Sequence, residues 1–205
     1  MGSARVSPRG LLDAATAVLA SNPGATLEEV ARAAKLSRAT LYRAFSSREA
    51  LLRAAALDAL ESVEAGLKPI PLERGDPLDV IERIAHVLVP LGAKFHFLAA
   101  EDWLEQDRKV AARLEKLERA VGGVFERARG AGLLDAGIPV EWQLRAFFAL
   151  VYAGWECVGE QIFVPRDAVR AVVSAFLGGQ RARSAAVTRQ PARRAVRARR
   201  PGREP

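Results

Sequence analysis

Residues 26–45, TLEEVARAAKLSRATLYRAF, constrain this chain more than any other stretch, because two helical periods meet there across one tight break. Leu27, Val30, Ala31 and Ala34 recur at i, i+3, i+4 and i+7, which is one face of a helix. Leu41 and Phe45, four apart, give the second period. Between them Lys35-Leu36-Ser37 has room only for a turn, and Ser37 is a good N-cap for the helix that follows. Two short helices joined by about three residues make a helix-turn-helix, whose second helix enters the major groove of DNA.

The outward side of that second helix follows from a rotation of about 100° per residue. Phe45 falls beside Leu41, so that side is buried. Ala39, Thr40 and Arg43 fall opposite, flanked by Arg38 and Tyr42. Such a face suits a DNA interface: a guanidinium able to take guanine O6 and N7, a hydroxyl, a phenol for phosphate, and a small residue permitting close approach. An ordinary amphipathic hairpin with a solvated charged face has the same spacing, so the flanks must decide.

Those flanks read Thr26 at the opening of the first helix, Val30-Ala31, Ala34-x-Leu36-Ser37, Thr40-Leu41-Tyr42-x-x-Phe45, then Arg48-Glu49-x-Leu51-Leu52. They closely resemble the tetracycline-repressor (TetR) family of bacterial transcription regulators, strongly over residues 9–55 and weakly beyond. Three positions depart from the family pattern. Lys35 stands where glycine is usual in the turn; if that residue is left-handed, its side chain costs about 1–2 kcal/mol. Ala39 replaces a common Gly or Pro, and Ala44 a frequent His or Tyr. The outward face and the resemblance together give an expected DNA-contacting set of Thr26, Ser37, Arg38, Ala39, Thr40, Tyr42, Arg43 and Arg48, the last of these a phosphate contact.

The fold class expected is all-α, since half of the 205 residues are hydrophobic and the segments are Ala/Leu/Arg-rich with helical periods. A flexible arm over 1–8 precedes a DNA-binding domain at 9–55. A helical effector-binding and dimerisation domain follows at 56–179, then an Arg-rich tail at 180–205 expected to be disordered. The first helix ends at Ser21-Asn22-Pro23-Gly24, and Ser46 or Ser47 caps a fourth that fades toward Pro69-Ile70-Pro71, the break between DNA-facing unit and body. A fifth helix starts at Asp76-Pro77 and stops near Pro90 and Gly92. The sixth is expected from Phe95 to about Glu105, the seventh from Asp107 to Gly130, the eighth from Val140 to Ile162. A last helix opens at Pro165 and stops at Gly178-Gly179.

Charge is unevenly distributed within the net +7. Residues 1–53 hold eight basic and four acidic residues, 54–179 fourteen and nineteen, and 180–205 nine and one. The basic ends would orient toward a phosphate backbone and make binding salt-dependent. A single Cys157 excludes an intramolecular disulfide and fits a reducing cytoplasm, no apolar run is long enough to span a bilayer, and no signal core follows Arg5 and Arg9. The expected protein is soluble and cytoplasmic, with no membrane partner.

The eighth helix is apolar all round from Ala146 to Trp155, so it needs cover on every face. A second copy across a two-fold axis is the simplest cover. The family dimerises through its last two long helices, which implies an interface from Ala149, Ala153 and Gly154 with Val169, Val172, Val173 and Phe176. It also implies an effector pocket within helices five to eight, lined by His96, Phe97, Trp103, Phe148, Tyr152 and Trp155, with Gln143 or Glu156 as further polar handles. The same aromatics also fit a plain core. His86, His96 and Cys157 lack metal-site spacing, and no nucleophile elbow, phosphate loop or His-Glu-x-x-His pattern is present. Neither a cofactor nor enzymatic activity is expected.

The function this implies is a homodimeric repressor on a near-palindromic double-stranded operator, released by a small, largely apolar or aromatic effector. The alternative is an effector-independent activator or nucleoid-type factor whose affinity comes from the tail.

Overall fold

The computed structural model describes residues 8–100 and 107–180, and the described residues contain helices and no strand. The helices are α1 (Pro8–Ser21), α2 (Leu27–Ala33), α3 (Arg38–Ala44), α4 (Arg48–Leu67), α5 (Pro77–Leu88), α6 (Gly92–Ala100), α7 (Arg108–Gly130), α8 (Val140–Gly159) and α9 (Pro165–Gln180). The arm before residue 8, Trp103 and the tail beyond residue 180 lie outside the described residues.

Helix starts follow local chemistry. Thr26 and Glu29 form a reciprocal capping box at α2, with the Glu29 carboxylate accepting from the Thr26 amide at 2.7 Å. Ser37, Ser47, Asp76 and Asp107 cap α3, α4, α5 and α7 through their side chains. Three ends differ from the sequence expectation. The sixth helix begins at Gly92 rather than Phe95, because Gly92 lies under a tryptophan instead of stopping a chain: a Cβ there would sit 2.2 Å from Cβ of Trp155. The eighth ends at Gly159, three residues early, where Gln161 takes φ 61°. The last runs through Gly178 and Gly179 to Gln180, whose carbonyl accepts from the Asp135 amide at 2.8 Å.

Two hydrophobic clusters share α4. The first joins Leu11, Ala15 and Leu19 of α1 with Val30, Leu41, Leu51, Leu52 and Leu60, and extends to Phe97 and Leu98 of α6 and Val110 of α7. The second collects Val63, Ile81, Ile84, Leu88, Phe125, Phe147, Val151, Val172 and Phe176. Phe125, Phe147 and Phe176 meet edge to face, centroids 5.4–5.5 Å apart. Such pairs add roughly 0.5–1.5 kcal/mol beyond their buried area. The body therefore has a specific aromatic centre, and α4 carries side chains into both cores.

Candidate nucleic-acid interface

The helix-turn-helix is positioned from below. Leu41 is fully buried in the N-terminal core and Phe45 half-buried against it, which fixes the rotation of α3. The remaining face looks outward: Arg38, Ala39, Tyr42 and Arg43 are exposed and Thr40 half-buried. Tyr42 keeps 47% of its surface exposed, a large aromatic with no core to fill. The turn is held by Leu36 N–H donating to Ala31 O at 2.8 Å, and Lys35 adopts φ 55°. The left-handed residue foreseen in the turn is there, carried by a lysine.

Ser37 and the Thr40, Arg38 and Arg43 side chains of α3 have local partners. Ser37 Oγ accepts from the Thr40 amide at 3.2 Å and lies 2.8 Å from Thr40 Oγ1. Arg43 Nε donates to Ala39 O at 3.2 Å, which lays the guanidinium along the outward face. Arg38 pairs with Glu28 of α2 and lies over the Tyr42 ring, 5.9 Å from its centroid. These are exposed, low-energy contacts that a phosphate or base edge can replace.

Two residues of the expected set take part in bonds that shape the unit itself. Thr26 Oγ1 accepts from the Glu29 amide, while the Thr26 amide and then its hydroxyl, both donating to Glu29 Oε2, hold that carboxyl below its ordinary range. Arg48 has partners within the chain. It is half-buried and donates to the carbonyls of Pro23 and Ala25, bracing the loop between α1 and α2. Neither reading weighed from sequence, phosphate contact or solvated charge, included this strut.

The residues expected at the effector site separate. Phe97 is fully buried in the N-terminal core, where α6 packs against α4. His96 and Tyr152 do come together, stacked with centroids 3.8 Å apart, and Trp155 lies 5.5 Å from Tyr152. The Tyr152 hydroxyl donates to Glu156 at 2.9 Å. Burial and this acceptor raise the Tyr152 pKa, while burial lowers that of His96 against the pull of Glu156. Phe148 is half-buried beside Phe147. Gln143 turns to the loop instead, its Nε2 donating to Asp135 O at 2.9 Å.

The residues expected between protomers separate as well. Gly154, Val169, Val172 and Phe176 are buried within this chain: a Cβ on Gly154 would lie 2.8 Å from Val172 Cγ2. They belong to the α8–α9 contact inside one protomer, because α9 needs its valine stripe to cover α8. Ala149 and Ala153 remain exposed and Val173 half-buried. Sequence reasoning did not single out the large apolar residues Trp142, Ile162, Phe163 and Val164, which are also exposed. The continuous Ile-Phe-Val run after α8 was the available signal.

No group of three or more His, Cys, Asp or Glu side chains among the described residues is placed to hold a metal, and no described helix is long and apolar enough to cross a membrane.

The family model "Bacterial regulatory proteins, tetR family" matches residues 11–55. The HTH-type transcriptional repressor LfrR of Mycolicibacterium smegmatis is 30% identical over 184 residues, covering 87% of this chain and 92% of that protein. Among solved structures, the TetR-like regulator LfrR from Mycobacterium smegmatis, in complex with proflavine, superposes with a TM-score of 0.63 at 29% identity, covering 83% of this chain and 94% of that one. The ketosteroid regulator KstR2 of Mycobacterium tuberculosis shares the fold, with a TM-score of 0.60 at 18% identity over 88% of this chain and 97% of its own.

Proposed function

The chain belongs to the tetracycline-repressor family of bacterial DNA-binding transcriptional regulators, and we propose that it acts as a homodimeric repressor on a near-palindromic operator, released by a small aromatic effector. The observation that carries the DNA half is the outward set Arg38, Thr40, Tyr42 and Arg43 on a helix rotated by the fully buried Leu41. Arg43, reaching beyond Ala39, is the base-reading candidate; Arg38 and Tyr42 are the phosphate candidates.

Dimer formation is supported by the apolar exposure of Trp142, Ala149, Ala153 and the 162–164 run, which water would otherwise cover. Two copies present two recognition helices to successive major grooves about 34–36 Å apart, hence the expected palindromy. The effector half is supported by the His96–Tyr152–Trp155 cluster with Glu156 at its edge, and by the proflavine complex of LfrR. A planar aromatic molecule that stacks against this cluster displaces the repressor only if it binds one arrangement of the body better than another.

Selection of duplexes from a random pool tests the reading. Enrichment of an inverted repeat, lost on Arg43→Ala, is the expected result. Binding that vanishes when residues 181–205 are deleted would favour the effector-independent, tail-driven factor instead.

A further inference from the structure

The element that touches both halves of the molecule is α6, which packs against α1, α4 and α8. Its one lysine is turned inward. Lys94 Nζ donates to Asp13 Oδ1 of α1 at 2.8 Å, to Asp58 Oδ2 of α4 at 2.5 Å and to Ser62 Oγ at 2.9 Å. Ser62 directs its own proton to the Asp58 carbonyl at 2.8 Å, leaving its lone pairs for the ammonium. All three ammonium hydrogens thus have acceptors. Burial pushes Lys94 toward the neutral form, but the bonds to Asp13 and Asp58 outweigh it and hold the pKa above the ordinary lysine value.

The two carboxylates are not equivalent. Asp58 is 10% exposed at the side chain and has Arg9 at 3.8 Å, whereas Asp13 is 54% exposed. An open cavity of about 490 Å³, lined by Arg9, Asp13, Ser62, Ala93 and Lys94, brings water to the Asp13 arm. The Asp58 half is therefore seated, and parting it would strand a buried charge. The Asp13 half is bathed and can part at small cost. Interdigitated apolar side chains set how α1 crosses α6 to first order, and the Lys94–Asp13 pair adds a directional tie that narrows it.

We propose that Lys94 is a positioning residue for DNA binding: its pair with Asp13 narrows the angle at which α1, and with it the helix-turn-helix, sits on the body. The consequence for DNA rests on the function proposed above; the positioning itself does not.

Spin labels at Ala33→Cys and Ala131→Cys, both exposed positions, report that angle in a Cys157→Ser background diluted with unlabelled protein. Asp13→Ala should broaden or shift the label-to-label distance distribution while leaving the urea midpoint near that of the parent. On a duplex selected from a random pool it should weaken affinity by up to about five-fold, the scale of an exposed ion pair. Asp13→Glu, which keeps the carboxylate, should restore the narrow distribution. Lys94→Met should broaden it further and lower stability, because it strands Asp58. An unchanged distribution in Asp13→Ala overturns the proposal, whatever the affinity does. If the parent protein prefers no duplex, the distances still decide the positioning claim and only the proposed function fails.

Discussion

The guanidinium of Arg48, the first residue of α4, reaches back to the carbonyl oxygens of Pro23 and Ala25 and ties that helix to the loop entering the helix-turn-helix. Charge-assisted bonds to these two carbonyls, one exposed and one on the buried Ala25, stabilise the loop. Arg48→Ala should therefore lower the unfolding free energy by about 1–3 kcal/mol in urea titrations. A phosphate-contacting arginine would instead leave stability alone and reduce the salt slope of DNA binding by about one.

Lys35 occupies a left-handed conformation in the turn between α2 and α3, at φ 55°. Glycine adopts that region without the clash of a side chain. Lys35→Gly should raise stability by about 1 kcal/mol, partly offset by the greater freedom of glycine in the unfolded chain. Calorimetry should show an upward shift of the thermal midpoint; a downward shift would mean the lysine makes a contact worth more than its strain.

Gly92 and Trp155 set the spacing of α6 and α8. Since a Cβ at Gly92 would meet the Trp155 Cβ at 2.2 Å, Gly92→Ala must push the helices apart. Overpacking of this kind costs typically 1–3 kcal/mol. The fluorescence of Trp155 should change with it, and an unaltered spectrum at parental stability would show the contact to be slack.

His96 titrates against stability in a defined direction. Its folded pKa lies below the unfolded value because burial against Tyr152 disfavours the imidazolium. The unfolded chain thus binds the extra proton first, and stability falls as pH drops through about 6.5 toward the lower folded value. Glu64 and Asp107, held down by hydrogen bonds from Arg113 and Arg53, lose their contribution only below the ordinary carboxylate range. His96→Phe should abolish the first decline in thermal midpoint and leave the second.

The parts legible in the sequence were those with local causes. The helix-turn-helix follows from an apolar period, a three-residue break and a serine cap, all within twenty residues; α7 follows from Asp107 and its long stripe. What stayed hidden depends on partners far along the chain. Gly92 reads as a breaker until Trp155 is seen above it. Phe97 gives no sign of its place in the N-terminal core until α6 is packed against α4. Lys94 meets Asp58, thirty-six residues earlier, and Arg48 meets Pro23, twenty-five earlier. Likewise the valines of α9 form a stripe from any viewpoint, and only packing shows that the stripe faces α8 of the same chain.

The most direct measurement is fluorescence anisotropy of the parent protein and Arg43→Ala on one selected inverted-repeat duplex and one scrambled duplex, at matched salt. The parent should favour the selected duplex, and Arg43→Ala should lose about 1–3 kcal/mol there and little on the scrambled one. Equal binding of both duplexes by folded parent protein, even at low salt, would contradict a recognition helix that reads base pairs through Arg43.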